Sequence, residues 1–215
     1  MYIEEPDGTG HQYGPESEQT GQMVHRLDSL IGIMMDKIDR SPVKGRVNLI
    51  VTSDHGMAEL SVNRMVHIDD YLKPAWYERI VGSNPSSVFT RDACIDSVLA
   101  ALRGVEHISA YRKENIPTHL RYGANKNIGD VVVIPDCGWQ FTFSRKSLLG
   151  AHGYDPTHPD MHVPFYACGP DFRKNYRHPE MTNTDVYPLL ARLLGITPET
   201  SDGDFERVKR MLRAE

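Results

Sequence analysis

Cysteine is scarce in this chain of 215 residues: only Cys94, Cys137 and Cys168, odd in number and far apart. With no Cys-x-x-Cys pair, the sequence indicates neither a disulfide framework nor a thiolate zinc site, so any metal has to be held by oxygen and imidazole. Long apolar runs are missing too, and none reaches the length that spans a bilayer. The opening residues, Met1-Tyr2-Ile3-Glu4-Glu5, carry neither the basic nor the apolar region of an export signal. Positive charge is in deficit: the formal net charge of -5 removes the electrostatic reason to bind a nucleic-acid polymer or an anionic membrane surface. Small anions stay possible where a metal supplies the charge. Internal repeats, low-complexity tracts and long linkers are absent as well.

A content of 40% hydrophobic and 25% charged residues is that of a globular chain able to bury a core as one domain with an appended lobe. Short β-branched runs alternate with helical periodicity, which predicts an α/β fold. Residues 1–5 read as a strand running straight into a functional loop, so the chain is expected to begin inside a domain. From about Ser17 to Asp39, Met23, Val24, Leu27, Leu30, Ile31, Met34 and Ile38 recur at spacings of three and four, an amphipathic helix stopped near Ser41-Pro42. Val47 to Thr52 reads as a central parallel strand covered on both faces. Between about 62 and 150 the pattern predicts a small inserted α+β lobe, with a helix over 93–102, strands at 108–111 and 130–134, and a polar turn at 123–129. Val163 to Ala167 resumes the main sheet, and Thr182 or Asn183 caps a helix that closes at Gly195.

Three glycine-flanked segments concentrate carboxylates and imidazoles at expected strand ends. They are Glu5-Pro6-Asp7-Gly8-Thr9-Gly10-His11, Ser53-Asp54-His55-Gly56-Met57 and Gly150-Ala151-His152-Gly153-Tyr154-Asp155. In open α/β sheets ligands bind beyond the carboxyl ends of strands, and Asp and His suit zinc when no thiolate is offered. Asp7, His11, Asp54, His55 and His152 are therefore candidates to converge on metal. Taken singly, Asp7-Gly8 also fits a turn, Asp54-His55 a strand-end cap and His152 an ordinary loop histidine. Those readings do not explain why three segments share one composition. Ser53 beside Asp54 and His55 is not a triad, because neighbours on a strand point apart.

The run Tyr2-Ile3-Glu4-Glu5-Pro6-Asp7-Gly8-Thr9-Gly10-His11 with Gly14-Pro15 resembles the signature of the nucleotide pyrophosphatase/phosphodiesterases, of the alkaline phosphatase superfamily. Thr52-Ser53-Asp54-His55-Gly56-Met57 is similar to that family's second metal motif. His152-Gly153-Tyr154-Asp155 with Met161-His162 and Gly169-Pro170 is similar to its third, and Asp185-Val186-Tyr187-Pro188 to its closing helix. The resemblance implies an alkaline-phosphatase-like α/β sheet with helices on both faces, truncated at its N-terminus, and a single partial catalytic domain over 1–215. It implies two Zn²⁺ ions, one held by Asp7, His11 and His152, the other held in part by Asp54 and His55.

No catalytic nucleophile is expected within the chain, because the family's nucleophilic threonine lies upstream; Thr9 does not correspond to it. Tyr2 is a candidate wall of the substrate pocket, and His162 a candidate to orient a ligand. The implied substrate is a nucleotide or other small phosphodiester; lysophospholipid and choline-phosphate esters are alternatives, as are another hydrolase of the superfamily and a metal-binding fragment without turnover. By the same resemblance the protein works in the periplasm or outside the cell. An open sheet edge invites pairing with a second copy.

Overall fold

The computed structural model describes residues 1–91 and 93–213. They form two compact units, the first made of Met1–Leu27 and His55–His162, the second of Asp28–Asp54 and the chain from Val163 onward.

The first unit opens on helix α1 (Asp7–Tyr13). Residues 1–4 are not a strand, and Asp7 to His11 is not a loop. The Glu5 carboxylate accepts the Thr9 N–H at 3.1 Å and its hydroxyl at 2.8 Å, filling a first-turn donor that would otherwise be unpaired. Short-range capping of this kind outweighs the helix-breaking tendency of Gly8 and Gly10. Helix α2 (Glu18–Asp39) follows, capped by Ser17, whose Oγ accepts the Thr20 N–H at 3.2 Å. Met23, Leu27, Ile31, Met34 and Ile38 are its half-buried stripe, while Val24 and Leu30 are exposed.

Strand β1 (Leu49–Thr52) belongs to the second unit. The next strands, β2 (Ala58–Glu59), β3 (Met65–His67), β4 (Tyr77–Val81) and β5 (Ser86–Thr90), return to the first. They are followed by α3 (Ile95–Leu102), β6 (Ile108–Arg112), β7 (Val131–Pro135), β8 (Gln140–Thr142) and β9 (Gly150–Ala151). Four of these strands make an antiparallel sheet in the order β4-β5-β7-β6, and β3 pairs with β8 in parallel. The apolar core beneath them joins Val66, Ile68, Val88, Val98, Val131 and Phe141. The run Val131-Val132-Val133 is wholly buried on both faces, which is why it carries no polar alternation.

In the second unit β1 pairs antiparallel with β10 (Phe165–Cys168), Leu49 opposite Cys168 and Thr52 opposite Phe165. The expected central parallel strand is thus a half-buried antiparallel one. An unbroken aliphatic run reports burial and not the direction of its partner. Helices α4 (Val186–Leu194) and α5 (Phe205–Val208) complete the unit around Phe172, Leu189, Val208 and Met211. The cap expected at Thr182 or Asn183 is a Thr182/Asp185 capping box on the 3-10 turn before α4, and Gly195 ends α4 in the left-handed conformation. Among the described residues no helix is long and apolar enough to cross a membrane.

Candidate metal centre

Helix α1 places Asp7 and His11 one turn apart, hence on one face. The short β2–β9 ladder pairs Ala58 with Ala151, which brings the segment preceding β2, with His55, toward His152 directly after β9. α1 is held to β9 by the Leu149 N–H, which donates to the His11 carbonyl at 2.9 Å. These local and long-range links assemble four sequence-predicted residues of the first unit around one point.

That point is Asp7 Oδ1. His11 Nε2 lies 3.4 Å from it, His152 Nε2 3.6 Å and His55 Nε2 3.9 Å. The rings of His55 and His152 stack, with centroids 3.5 Å apart and planes at 12°. Asp7 Oδ1 is buried and has no hydrogen-bond partner. The reason lies behind the rings. His11 Nδ1 is 2.7 Å from the Gly150 carbonyl and His55 Nδ1 is 3.0 Å from the Gly56 carbonyl. A carbonyl only accepts, so both Nδ1 atoms donate, and in the tautomer with its hydrogen on Nδ1 each ring turns an Nε2 lone pair toward the carboxylate. Electron pairs face electron pairs, an arrangement that a cation relieves.

A tetrahedral ion with bonds of about 2.0 Å separates its ligand atoms by roughly 3.3 Å. Asp7, His11 and His152 are spaced for such an ion, with all three donor atoms within 4.8 Å of one another. Sequence reasoning placed His55 with Asp54; its Nε2 also faces Asp7, from slightly farther out. Asp54 belongs to the second unit, where its carbonyl accepts from the Asn183 side chain at 3.1 Å. Tyr2 is 76% exposed. His162 follows the turn whose Met161 carbonyl accepts the Gly56 N–H, which ties its backbone to the turn bearing His55.

Three contributors escaped sequence reasoning because they act through main chain or packing: the Gly150 and Gly56 carbonyls, which set imidazole tautomers, and Met57, which fills the space beside Gly10. A Cβ on Gly150 would meet the Gly10 carbonyl oxygen and lie 2.6 Å from Met57 Sδ. Gly150→Ala is therefore expected to push α1 off β9, costing about 1–3 kcal/mol in denaturant unfolding and weakening metal binding. Gly32→Ala, which meets open space, is the control and should do neither.

Fold and site together define a class: α/β proteins whose carboxylate and imidazoles can hold a divalent metal. Comparison with known proteins narrows it. The sequence model of the type I phosphodiesterase / nucleotide pyrophosphatase family matches residues 1–155, and the chain belongs to that family of hydrolases. It is 35% identical over 217 residues to the Homo sapiens ectonucleotide pyrophosphatase/phosphodiesterase family member 5, covering 100% of this chain and 46% of that protein. Against Homo sapiens bis(5'-adenosyl)-triphosphatase ENPP4 it is 33% identical over 215 residues, covering 99% and 47%. The chain thus spans about half the length of these relatives. Murine ectonucleotide pyrophosphatase/phosphodiesterase 5, solved as an inactive threonine-to-alanine variant with AMP, superposes with a TM-score of 0.94 at 36% identity, covering 99% of this chain and 58% of that one. The human counterpart gives 0.94 at 33%, covering 100% and 58%. The expected alkaline-phosphatase-like α/β class agrees with these neighbours.

Proposed function

We propose that this chain is the metal-holding region of a zinc-dependent phosphodiesterase or nucleotide pyrophosphatase, with Asp7, His11 and His152 as ligands of one ion. The observation that carries this reading is the buried Asp7 Oδ1, which has no hydrogen bond and is faced by three imidazole nitrogens. A second ion, held in part by Asp54 and His55, rests on the family resemblance. When bound, zinc supplies positive charge to a phosphoryl oxygen and to the charge that develops in an in-line displacement. The chain's own residues aim that charge. The Gly150 and Gly56 carbonyls hold His11 and His55 in the ligating tautomer, and Glu5 secures the helix that carries Asp7.

No side chain here is assigned as nucleophile. The Thr9 hydroxyl is engaged, donating to the Glu5 carboxylate at 2.8 Å, so it supports the helix. We assign the attack to a threonine upstream of Met1. The inactive threonine-to-alanine variant of the murine relative supports this, as does the 58% share of that relative that this chain covers. Nucleotides are the proposed substrates, supported by the AMP in that structure and by the bis(5'-adenosyl)-triphosphatase among the relatives.

The test is hydrolysis of a chromogenic phosphodiester with zinc present. Residues 1–215 alone are expected to stay at the background of free zinc, because positioning an activated nucleophile is what turns metal binding into catalysis. An N-terminally extended chain should be active, and changing its upstream threonine to alanine should silence it. Equal activity of the short and extended chains would overturn the assignment and return attention to Ser53 and Thr9.

A further inference from the structure

A second cluster of metal-ligating side chains lies in the first unit and shares no residue with Asp7, His11 and His152. Cys137 sits on the turn between β7 and β8, which the Trp139 N–H closes on the Asp136 carbonyl at 2.9 Å. His158 and Asp160 flank the start of the 3-10 turn Pro159–Met161, in the loop after His152. Folding brings these two loops together. The Asp160 carboxylate oxygen Oδ2 is 3.9 Å from Cys137 Sγ and 3.8 Å from His158 Nδ1. One donor atom from each of the three residues lies within 4.8 Å of the other two.

We propose that Cys137, His158 and Asp160 form a separate site for a divalent transition metal, zinc before magnesium or calcium, which clasps the loop after His152 to the β7–β8 turn. A thiolate, an imidazole and a carboxylate are borderline-to-soft donors together, a set that the oxygen-seeking cations do not favour. Three protein ligands leave room for a water as the fourth. A tetrahedral zinc would set these donors roughly 3.3–3.5 Å apart. The two spacings to Asp160 Oδ2 need a closure of only some tenths of an ångström, and the half-exposed His158 and Asp160 side chains are free to turn toward Cys137.

The His158 ring is already in a ligating form. Its Nδ1 accepts the Asp160 N–H at 3.3 Å, so that nitrogen carries a lone pair, and a metal would replace this long hydrogen bond. Binding exchanges the Cys137 thiol proton for the metal, and the proton leaves to solvent. Burial, then the neighbouring Asp160 charge, push that thiol up to about 11, against smaller lowering by the Gly138 N–H and Arg64. The metal-free thiol is therefore protonated at neutral pH and a poor nucleophile. The cluster does not depend on the phosphodiesterase reading, because it shares no ligand with Asp7, His11 and His152.

Cobalt(II) separates the two sites. Only a thiolate ligand gives a near-ultraviolet sulfur-to-cobalt charge-transfer band, and the Asp7 site has no thiol. Titrating the chain with cobalt(II) should develop this band to about one equivalent. C137S should abolish it. The exposed-side variants H158A and D160N, which leave the Cys137 packing intact, each remove a direct ligand and should weaken the cobalt affinity read at this band by about 100-fold or more, beyond the loss typical of outer-shell changes. In H152A the band should survive while total bound cobalt falls. The proposal is overturned if no band appears at saturating cobalt, if the band persists in C137S, or if H158A and D160N both bind with unchanged affinity.

Discussion

Asp7→Ala should lower the affinity of the chain for zinc by more than about 100-fold, beyond the loss typical of outer-shell changes at metal sites. Asp7 supplies the one carboxylate among the four residues gathered there, and its Oδ1 is the atom that three imidazoles face at 3.4, 3.6 and 3.9 Å. Without it the ion meets neutral nitrogens only and loses both a ligand and the charge that offsets its dehydration. Asp7→Asn makes a sharper test. Its amide can donate to an Nε2 that at present faces an oxygen, so metal-free unfolding should be no easier than in the parent and can be harder. Zinc should then raise the melting temperature of the parent and leave the Asn variant nearly unmoved. Calorimetric titration and thermal melts with and without zinc would check both halves. Equal zinc affinity in parent and Asn variant would show that Asp7 is not a ligand.

The second large effect is on stability, in the other unit. Asp185 is fully buried, and its carboxylate accepts from the Asp204 N–H at 2.9 Å, the Thr182 N–H at 3.3 Å and Arg207 Nε at 3.0 Å. Asp185→Ala strands all of these donors and removes the capping box ahead of α4. Losing the hydrogen bonds to the carboxylate together with the cap costs about 2–4 kcal/mol, a large part of the roughly 5–15 kcal/mol that holds a domain folded. In urea the midpoint should fall with little change of slope.

The pH dependence of Asp185 follows from the same contacts. Burial by itself would raise the carboxyl, but the Arg207 hydrogen bonds, the Asp204 and Thr182 N–H groups and the Arg207 charge outweigh it and hold it down at about 2, against an ordinary 3.8. A depressed carboxyl contributes stability that is fully present above about 4 and is lost as pH falls toward 2. The contribution is on the order of 1–2 kcal/mol, reduced because the Arg207 side chain is 44% exposed and screened by solvent. Asp185→Asn should flatten this part of the acid limb. A parent-minus-variant difference that is the same at pH 6 and pH 2.5 would exclude the titration of Asp185 as its cause.

Much of the molecule was legible in the chain because it is written locally. The periodicity of α2, the Thr182 cap and the Gly195 stop each depend on residues within a turn or two, and all three form. The helix expected over 93–102 and the strands at 108–111 and 130–134 form as well, within a residue or two at their ends. The three glycine-flanked Asp/His segments were visible for the same reason, and their order carried the family resemblance. Other features were hidden because they depend on which distant segments meet. The direction of β1, for example, is set by its partner β10, more than a hundred residues away in the chain.

The sequence by itself determined the donor chemistry: carboxylate and imidazole, grouped beside glycines, in an acidic α/β chain. Only the tertiary structure decided which donors share a point. The β2–β9 register and the packing of Gly10 against Gly150 bring His55, His152 and α1 together, and backbone carbonyls, which no side-chain code records, choose the ligating tautomers. The same holds for Cys137. Its isolation in the sequence argued against any thiolate site, yet two loops about twenty residues apart set it beside His158 and Asp160. Spacing along a chain reports neighbours within an element, whereas a site is made of side chains that strand register and close backbone contact bring to one place.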